Sequence, residues 1–144
     1  MAHEWHRDEF SISTDPSKLD LEVVHGYLSN ESYWAQGRSV ETIRKSIEHS
    51  LAFGVYEGER QIGFCRVITD YATLAWLADV FILEAYRGRG LAVWLVDTVM
   101  SHPELQGLKR WLLATKDAHG LYAKYGFGPL TDPERWMTRL GGGR

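Results

Sequence analysis

The 144-residue chain has a single cysteine, Cys65, which excludes an intramolecular disulfide and a cysteine-based zinc site. Cys65 therefore reads as a small buried apolar residue. No stretch approaches the ~20 consecutive apolar residues of a membrane span. Met1 to Phe10 is charged and polar, without the apolar stretch of a secretory leader, so the cytoplasm is the expected compartment. Basic residues are not in excess. The formal net charge is −3 and the pI is near 6.1, which argues against a general nucleic-acid binder but allows a local anion site. No internal repeat or long linker divides the chain, so residues 1–144 are read as one domain without a membrane or nucleic-acid partner.

Apolar residues supply 44% of the sequence, enough for a sizeable core, and six Trp, seven Tyr and five Phe make it rich in aromatics. The most informative segment runs from Asp79 to Ala92. An apolar strand pattern ends in a short turn, and a basic stretch with Gly88 and Gly90 opens a helical pattern. Amides at a helix start have no intrahelical acceptor, and the helix dipole adds partial positive charge there. The two glycines remove side chains that would hold a ligand off those amides. Arg87 and Arg89 add charge, and the combination suits a pyrophosphate. No Lys-Ser or Lys-Thr follows Gly90, so a P-loop is excluded. Val93 stands where a dinucleotide fingerprint needs its third glycine. The plain alternative is an ordinary strand-to-helix turn with solvated arginines.

Along the chain, Phe10 to Ser13 reads as a first strand and Asp15-Pro16-Ser17 as a turn. Asp20 caps a helix carrying Leu21, Val24 and Leu28 on one stripe, and Ser39 caps a second with Val40, Ile43 and Ile47. Strands follow at Ala52 to Tyr56, Gln61 to Thr69 and Thr73 to Leu83, the first two joined by a hairpin at Glu57-Gly58-Glu59-Arg60. A helix from Gly88 to Ser101 is largely buried, and His102-Pro103 ends it. Lys109 to Ala114 reads as a strand. Asp117 caps a short helix to Tyr125, with Gly126 just past its end, and Arg135 to Leu140 reads as a final edge strand. The order is β-α-α-β-β-β-α-β-α-β, an α+β fold with a mixed, mostly antiparallel twisted sheet flanked by helices.

Two motifs carry a resemblance. Arg87, Gly90 and Ala92 match [RQ]-x-x-G-x-[GA] in register. Ala118, Leu121, Tyr122, Lys124, Gly126 and Phe127 match A-x-x-L-Y-x-K-x-G-F, one strand further on. On these motifs and the element order, roughly residues 10–140 resemble the GNAT superfamily of acyl-CoA-dependent N-acetyltransferases. The resemblance implies acetyl-CoA as co-substrate and an amine acceptor, small molecule or peptide, attacking the thioester directly in a ternary complex. A homodimer is left open. One departure is Thr115, where many members carry an Asn that hydrogen-bonds the cofactor.

The resemblance also implies roles. Main-chain amides of Arg87, Gly88, Arg89, Gly90, Leu91 and Ala92 would hold the pyrophosphate, with each arginine side chain either on phosphate or solvated. The main chain of Val80, Phe81 and Ile82 would pair with the pantetheine arm at a bulged, splayed strand. An amide near Val80 or Phe81 would meet the carbonyl oxygen as it gains charge. Tyr122 would be the general acid for the leaving thiolate, or else a packing tyrosine that orients the sulfur. No motif fixes the base. Asp79 stands out in its apolar run, as base or as a hydrogen-bonded structural carboxylate. Tyr33 and Trp34 would line an aromatic acceptor wall, or simply pack their loop over the sheet. Two rival readings are a non-catalytic acyl-CoA-binding sensor and a Rossmann-type nucleotide binder with a mainly parallel sheet.

Overall fold

The computed structural model describes residues 2–142. Six strands form one sheet in the order of the chain: β1 (Glu4–Arg7), β2 (Phe10–Ser13), β3 (Leu51–Glu57), β4 (Arg60–Thr69), β5 (Leu74–Ile82) and β6 (Arg110–Leu112). Every neighbouring pair is antiparallel except β5 and β6. That pattern rules out the mainly parallel sheet of a Rossmann-type binder. Helices α1 (Leu21–Asn30) and α2 (Val40–Glu48) precede β3; α3 (Leu91–Met100) follows β5, and α4 (His119–Ala123) follows β6.

The sheet divides two cores. Val24, Tyr27 and Leu28 of α1 and Ile43 of α2 pack with Ala52, Phe64 and Phe81 on one face. Leu91, Leu95, Val96 and Val99 of α3 pack with Phe53, Val55, Cys65, Val67 and Leu77 on the other. The caps work as their residue types require: Asp20 accepts the amides of Glu22 and Val23, and Ser39 accepts that of Thr42. Cys65 is fully buried, and burial pushes its thiol pKa up, so it is an inert core residue.

The α+β class and the central elements follow the sequence expectation, and the two ends depart from it. At the N-terminus β1 is an additional strand, paired with β2 from Glu4↔Ser13 to Arg7↔Phe10. Its sequence is polar and its turn lacks the glycine that marks short hairpins; only Trp5 turns inward, stacking on Phe53. At the C-terminus the expected strand from Arg135 to Leu140 does not form. Pro133 opens a 3-10 turn through Arg135, and the following residues pair with no strand, leaving Met137 97% exposed. The cap of α4 also differs. Its N-cap is Ala118 rather than Asp117, and Thr115 Oγ1 accepts the Ala118 amide at 3.1 Å.

His3 packs edge-on against His102 with ring centroids 4.7 Å apart. His102 is fully buried, and its Nδ1 accepts the Glu104 amide at 3.1 Å. The proton therefore sits on Nε2, so His102 offers no lone pair toward His3 and Glu104, although the three lie within 4.8 Å. Burial first, and then the neighbouring His3, lower the His102 pKa below the ordinary 6.5. The unfolded chain then binds this proton more readily than the folded one. Stability is complete above about pH 6.5 and falls as the pH drops below it. Thermal unfolding across pH 5–8 should show that decline, and His102→Asn should flatten it while lowering the Tm at pH 8.

Candidate active site

The site lies where β5 and β6 part. Their parallel pairing covers only Leu74↔Arg110, Ala75↔Trp111 and Trp76↔Leu112. From Leu77 onward β5 has no partner on the β6 side, and β6 ends at Leu112 instead of reaching Ala114. On its other side β5 stays paired to β4, but the register shifts between Phe64↔Phe81 and Arg66↔Ala78. Three β5 steps match two on β4, which is a bulge, and Asp79 within it has φ +55°. The bulge reverses the alternation of β5. Leu77 faces the α3 core, whereas Phe81 faces the α1/α2 core and stacks on Tyr27 at 4.1 Å.

Beyond Ile82 the chain makes one 3-10 turn (Glu84–Tyr86) and reaches α3 through two left-handed glycines, Gly88 at φ +79° and Gly90 at φ +75°. Gly90 is the N-cap and has no side chain to satisfy the first amides of α3, so these are available to an anion. The arginines divide the work. Arg87 turns inward: its Nε donates to the Ile82 carbonyl at 3.1 Å and its Nη2 to the Tyr27 hydroxyl at 2.8 Å, which ties the turn to α1. Arg89 lies on the surface with its guanidinium over the Tyr86 ring. Arg7 of β1 brings a further cation beside this turn, over the Trp94 ring and 3.7 Å from where a side chain on Gly90 would begin. Nothing in the order of the residues links Arg7 to Gly90; only the unexpected β1 brings them together.

A cavity of about 510 Å³ opens beside the β5 bulge, lined by Tyr33, Trp34 and Arg38 of the α1–α2 loop, Arg66, the bulge itself, the chain after β6 and Tyr122. Asp79 is its electrostatic centre. Oδ2 accepts from Arg38 Nη1 at 2.9 Å and from Arg66 Nε at 2.6 Å, and Oδ1 accepts from the Trp34 indole at 2.8 Å. Both carboxylate oxygens are thus engaged by side-chain donors. Tyr33 crosses the cleft: its hydroxyl accepts the Lys116 amide at 2.8 Å, and its ring meets Trp34 edge-on at 5.1 Å. The loop that carries the aromatic pair is therefore fixed at both walls. A second, larger cavity of about 1010 Å³ lies along β6 and α4 and shares Thr115 and Tyr122 with the first. The chemistry-bearing groups converge in the smaller one.

Tyr122 is buried on α4. Desolvation, with smaller contributions from Cys65, Tyr33 and Asp117, pushes its pKa up to about 12. A helix start favours a phenolate, but α4 has only five residues and burial outweighs its small dipole. The hydroxyl stays protonated throughout the neutral range.

Comparison with known proteins agrees with this arrangement. The sequence model of the acetyltransferase (GNAT) family matches residues 2–127. A GNAT-family protein of Xanthomonas campestris pv. campestris is 49% identical, with a TM-score of 0.90 over 93% of this chain and 94% of that one. A Gibberella zeae protein, named as an acetyltransferase, is 29% identical over 142 residues, covering 83% of this chain and 79% of its own length. A GNAT-family acetyltransferase of Elizabethkingia anophelis, solved with acetyl-CoA bound, shares the fold at a TM-score of 0.64 and 17% identity, over 88% of this chain and 80% of that one. With the splayed β5, the glycine turn into α3 and the buried Tyr122 all in place, this chain belongs to the GNAT acetyltransferase family.

Proposed function

We propose that the chain transfers the acetyl group of acetyl-CoA to a primary amine by direct attack within a ternary complex. The observation that carries this reading is continuity. The unpaired side of β5 leads in one direction to the open amides of α3 and in the other to the cavity holding Tyr122. The pantetheine arm would pair along Val80, Phe81 and Ile82, and the diphosphate would rest on the turn from Arg87 to Ala92. Arg89 and Arg7 supply charge from the surface, while Arg87 holds the turn's shape. The Thr115 hydroxyl accepts the Ala118 amide, and its own proton remains to donate to a cofactor amide.

The amine nitrogen attacks the thioester carbon, the C–S bond breaks, and an amide and the thiol of CoA are left. Oxygen gains charge during attack, and a main-chain N–H at the β5 bulge is the donor that meets it. Sulfur gains charge during collapse, and Tyr122 donates its hydroxyl to it. A phenol at about 12 cannot simply surrender its proton to an ordinary thiolate of pKa about 8.5. That gap is uphill by about 5 kcal/mol. Tyr122 therefore stabilises the sulfur through a hydrogen bond. Full transfer is coupled to the proton leaving the attacking nitrogen. Asp79, with both oxygens engaged, fits a positioning role better than that of base: it holds Arg38, Arg66 and Trp34 in place, and the acceptor's proton leaves to water.

Release of CoA thiol across a panel of amines tests the reading, with Gly90→Val as the control. A β-branched residue at φ +75° costs about 1–2 kcal/mol, and reshaping the turn to escape that strain displaces the anion-binding amides. Calorimetry should therefore show acetyl-CoA bound roughly tenfold more weakly or worse. Unchanged affinity would move the diphosphate elsewhere.

A further inference from the structure

The acceptor cavity carries more positive charge than acetyl transfer needs. Two guanidiniums, Arg38 and Arg66, share one carboxylate, and their side chains are only 18% and 13% exposed. Asp79 neutralises one of them. The Ser50 hydroxyl, which accepts from Arg66 Nη1 at 3.2 Å, is neutral, as is the Trp34 indole on Asp79. A guanidinium has five N–H donors. Among the described residues the Arg38 side chain uses one of these, to Asp79, and its guanidinium lines the open cavity. Lys116 adds a cation at the rim and Asp117 a carboxylate, so the lining holds three cations against two carboxylates.

A half-buried cation with spare donors beside an aromatic wall is a site for an anion. By contrast, the Arg87 guanidinium donates to two protein oxygens, the Ile82 carbonyl and the Tyr27 hydroxyl. Resting on the acetyl-transfer reading, we infer that the acceptor is a small amine that also bears a carboxylate or phosphate. The anionic group docks on Arg38 and Arg66 beside Trp34 and Trp76, with the amine directed toward Tyr122. The volume of about 510 Å³ suits a small molecule that shares the space with the thioester. Polyamines and lysine-rich peptides would bring like charge to the guanidiniums and are disfavoured.

Matched acceptor pairs test the inference on the full chain: O-phosphoethanolamine against ethanolamine, β-alanine against propylamine, with spermidine and a lysine peptide as cationic probes. CoA release is followed while calorimetry records acetyl-CoA binding. The anionic member of a pair should show kcat/KM higher by about tenfold or more. Arg38→Gln should erase that preference, bringing the kcat/KM values of the two twins together through the KM of the anionic one, with acetyl-CoA still bound. Arg38→Lys should retain part of it, and serves if the Gln variant misfolds. Equal turnover of the twins, or preference for the cationic probes, with acetyl-CoA bound normally, overturns the inference and leaves acetyl transfer standing. Absence of acetyl-CoA binding would overturn the transfer reading and this inference with it.

Discussion

Tyr122→Phe is expected to lower kcat by about 10²-fold, with acetyl-CoA affinity changed little. The substitution removes one hydroxyl from a ring that is otherwise core, edge-on to Phe127 at 6.1 Å, so packing survives. On the proposed mechanism, what is lost is the hydrogen bond to sulfur, which matters only as the C–S bond breaks. The loss should therefore fall on kcat and kcat/KM together rather than on KM. Because burial holds the phenol near 12, the wild-type rate should show no downward limb from Tyr122 up to about pH 10. A limb near pH 10 would mean that Tyr122 titrates as a solvated phenol, and unchanged kcat in the Phe variant would remove it from the chemistry. A chain that binds acetyl-CoA but acetylates no amine would favour the rival reading of a non-catalytic sensor.

The second large effect concerns Asp79. Removing its side chain in Asp79→Ala leaves Arg38 and Arg66 facing each other without a counter-charge in a largely desolvated place. Breaking a buried ion pair from one side costs about 3–5 kcal/mol. Its φ of +55° adds to this, because Asp and Asn tolerate the left-handed region better than Ala. The Tm should fall by roughly 10 °C or more. Asp79→Asn keeps the shape and one acceptor oxygen, and should lose less. If Asp79 were instead the base, both variants would abolish turnover equally, and the Asn variant would keep nearly full stability. Denaturant unfolding beside initial-rate kinetics separates the two roles.

The parts of the molecule that were legible in the sequence are those whose physics is local. Gly88 and Gly90 adopt the left-handed turn that glycine at such positions suggests, and Asp20 and Ser39 cap as their side chains require. The hairpin at Gly58 and the buried face of α3 follow from turn chemistry and from a 3.6-residue period. The parts that were not legible depend on distant partners. Arg66 and Arg38 lie 13 and 41 positions from the carboxylate they share, and no spacing rule connects them. Arg87 is tied to the end of β5 and to Tyr27, 60 positions away, contacts that no local pattern foretells. One inward Trp5 in a polar run gives no alternation, so neither β1 nor the place of Arg7 is marked in the sequence. The expected C-terminal strand had suitable residues, but β6, three residues long, offers it no ladder and Pro133 withholds an amide.

The account turns on where the acetylated coenzyme lies, and a crystal structure of the chain soaked with acetyl-CoA answers that directly. Diphosphate oxygens within hydrogen-bonding distance of the amides between Arg87 and Ala92, with the arm along Val80 to Ile82 and the sulfur beside the Tyr122 hydroxyl, are the predicted result. Density for the coenzyme in any other crevice, with the β5–β6 cleft empty, would contradict it.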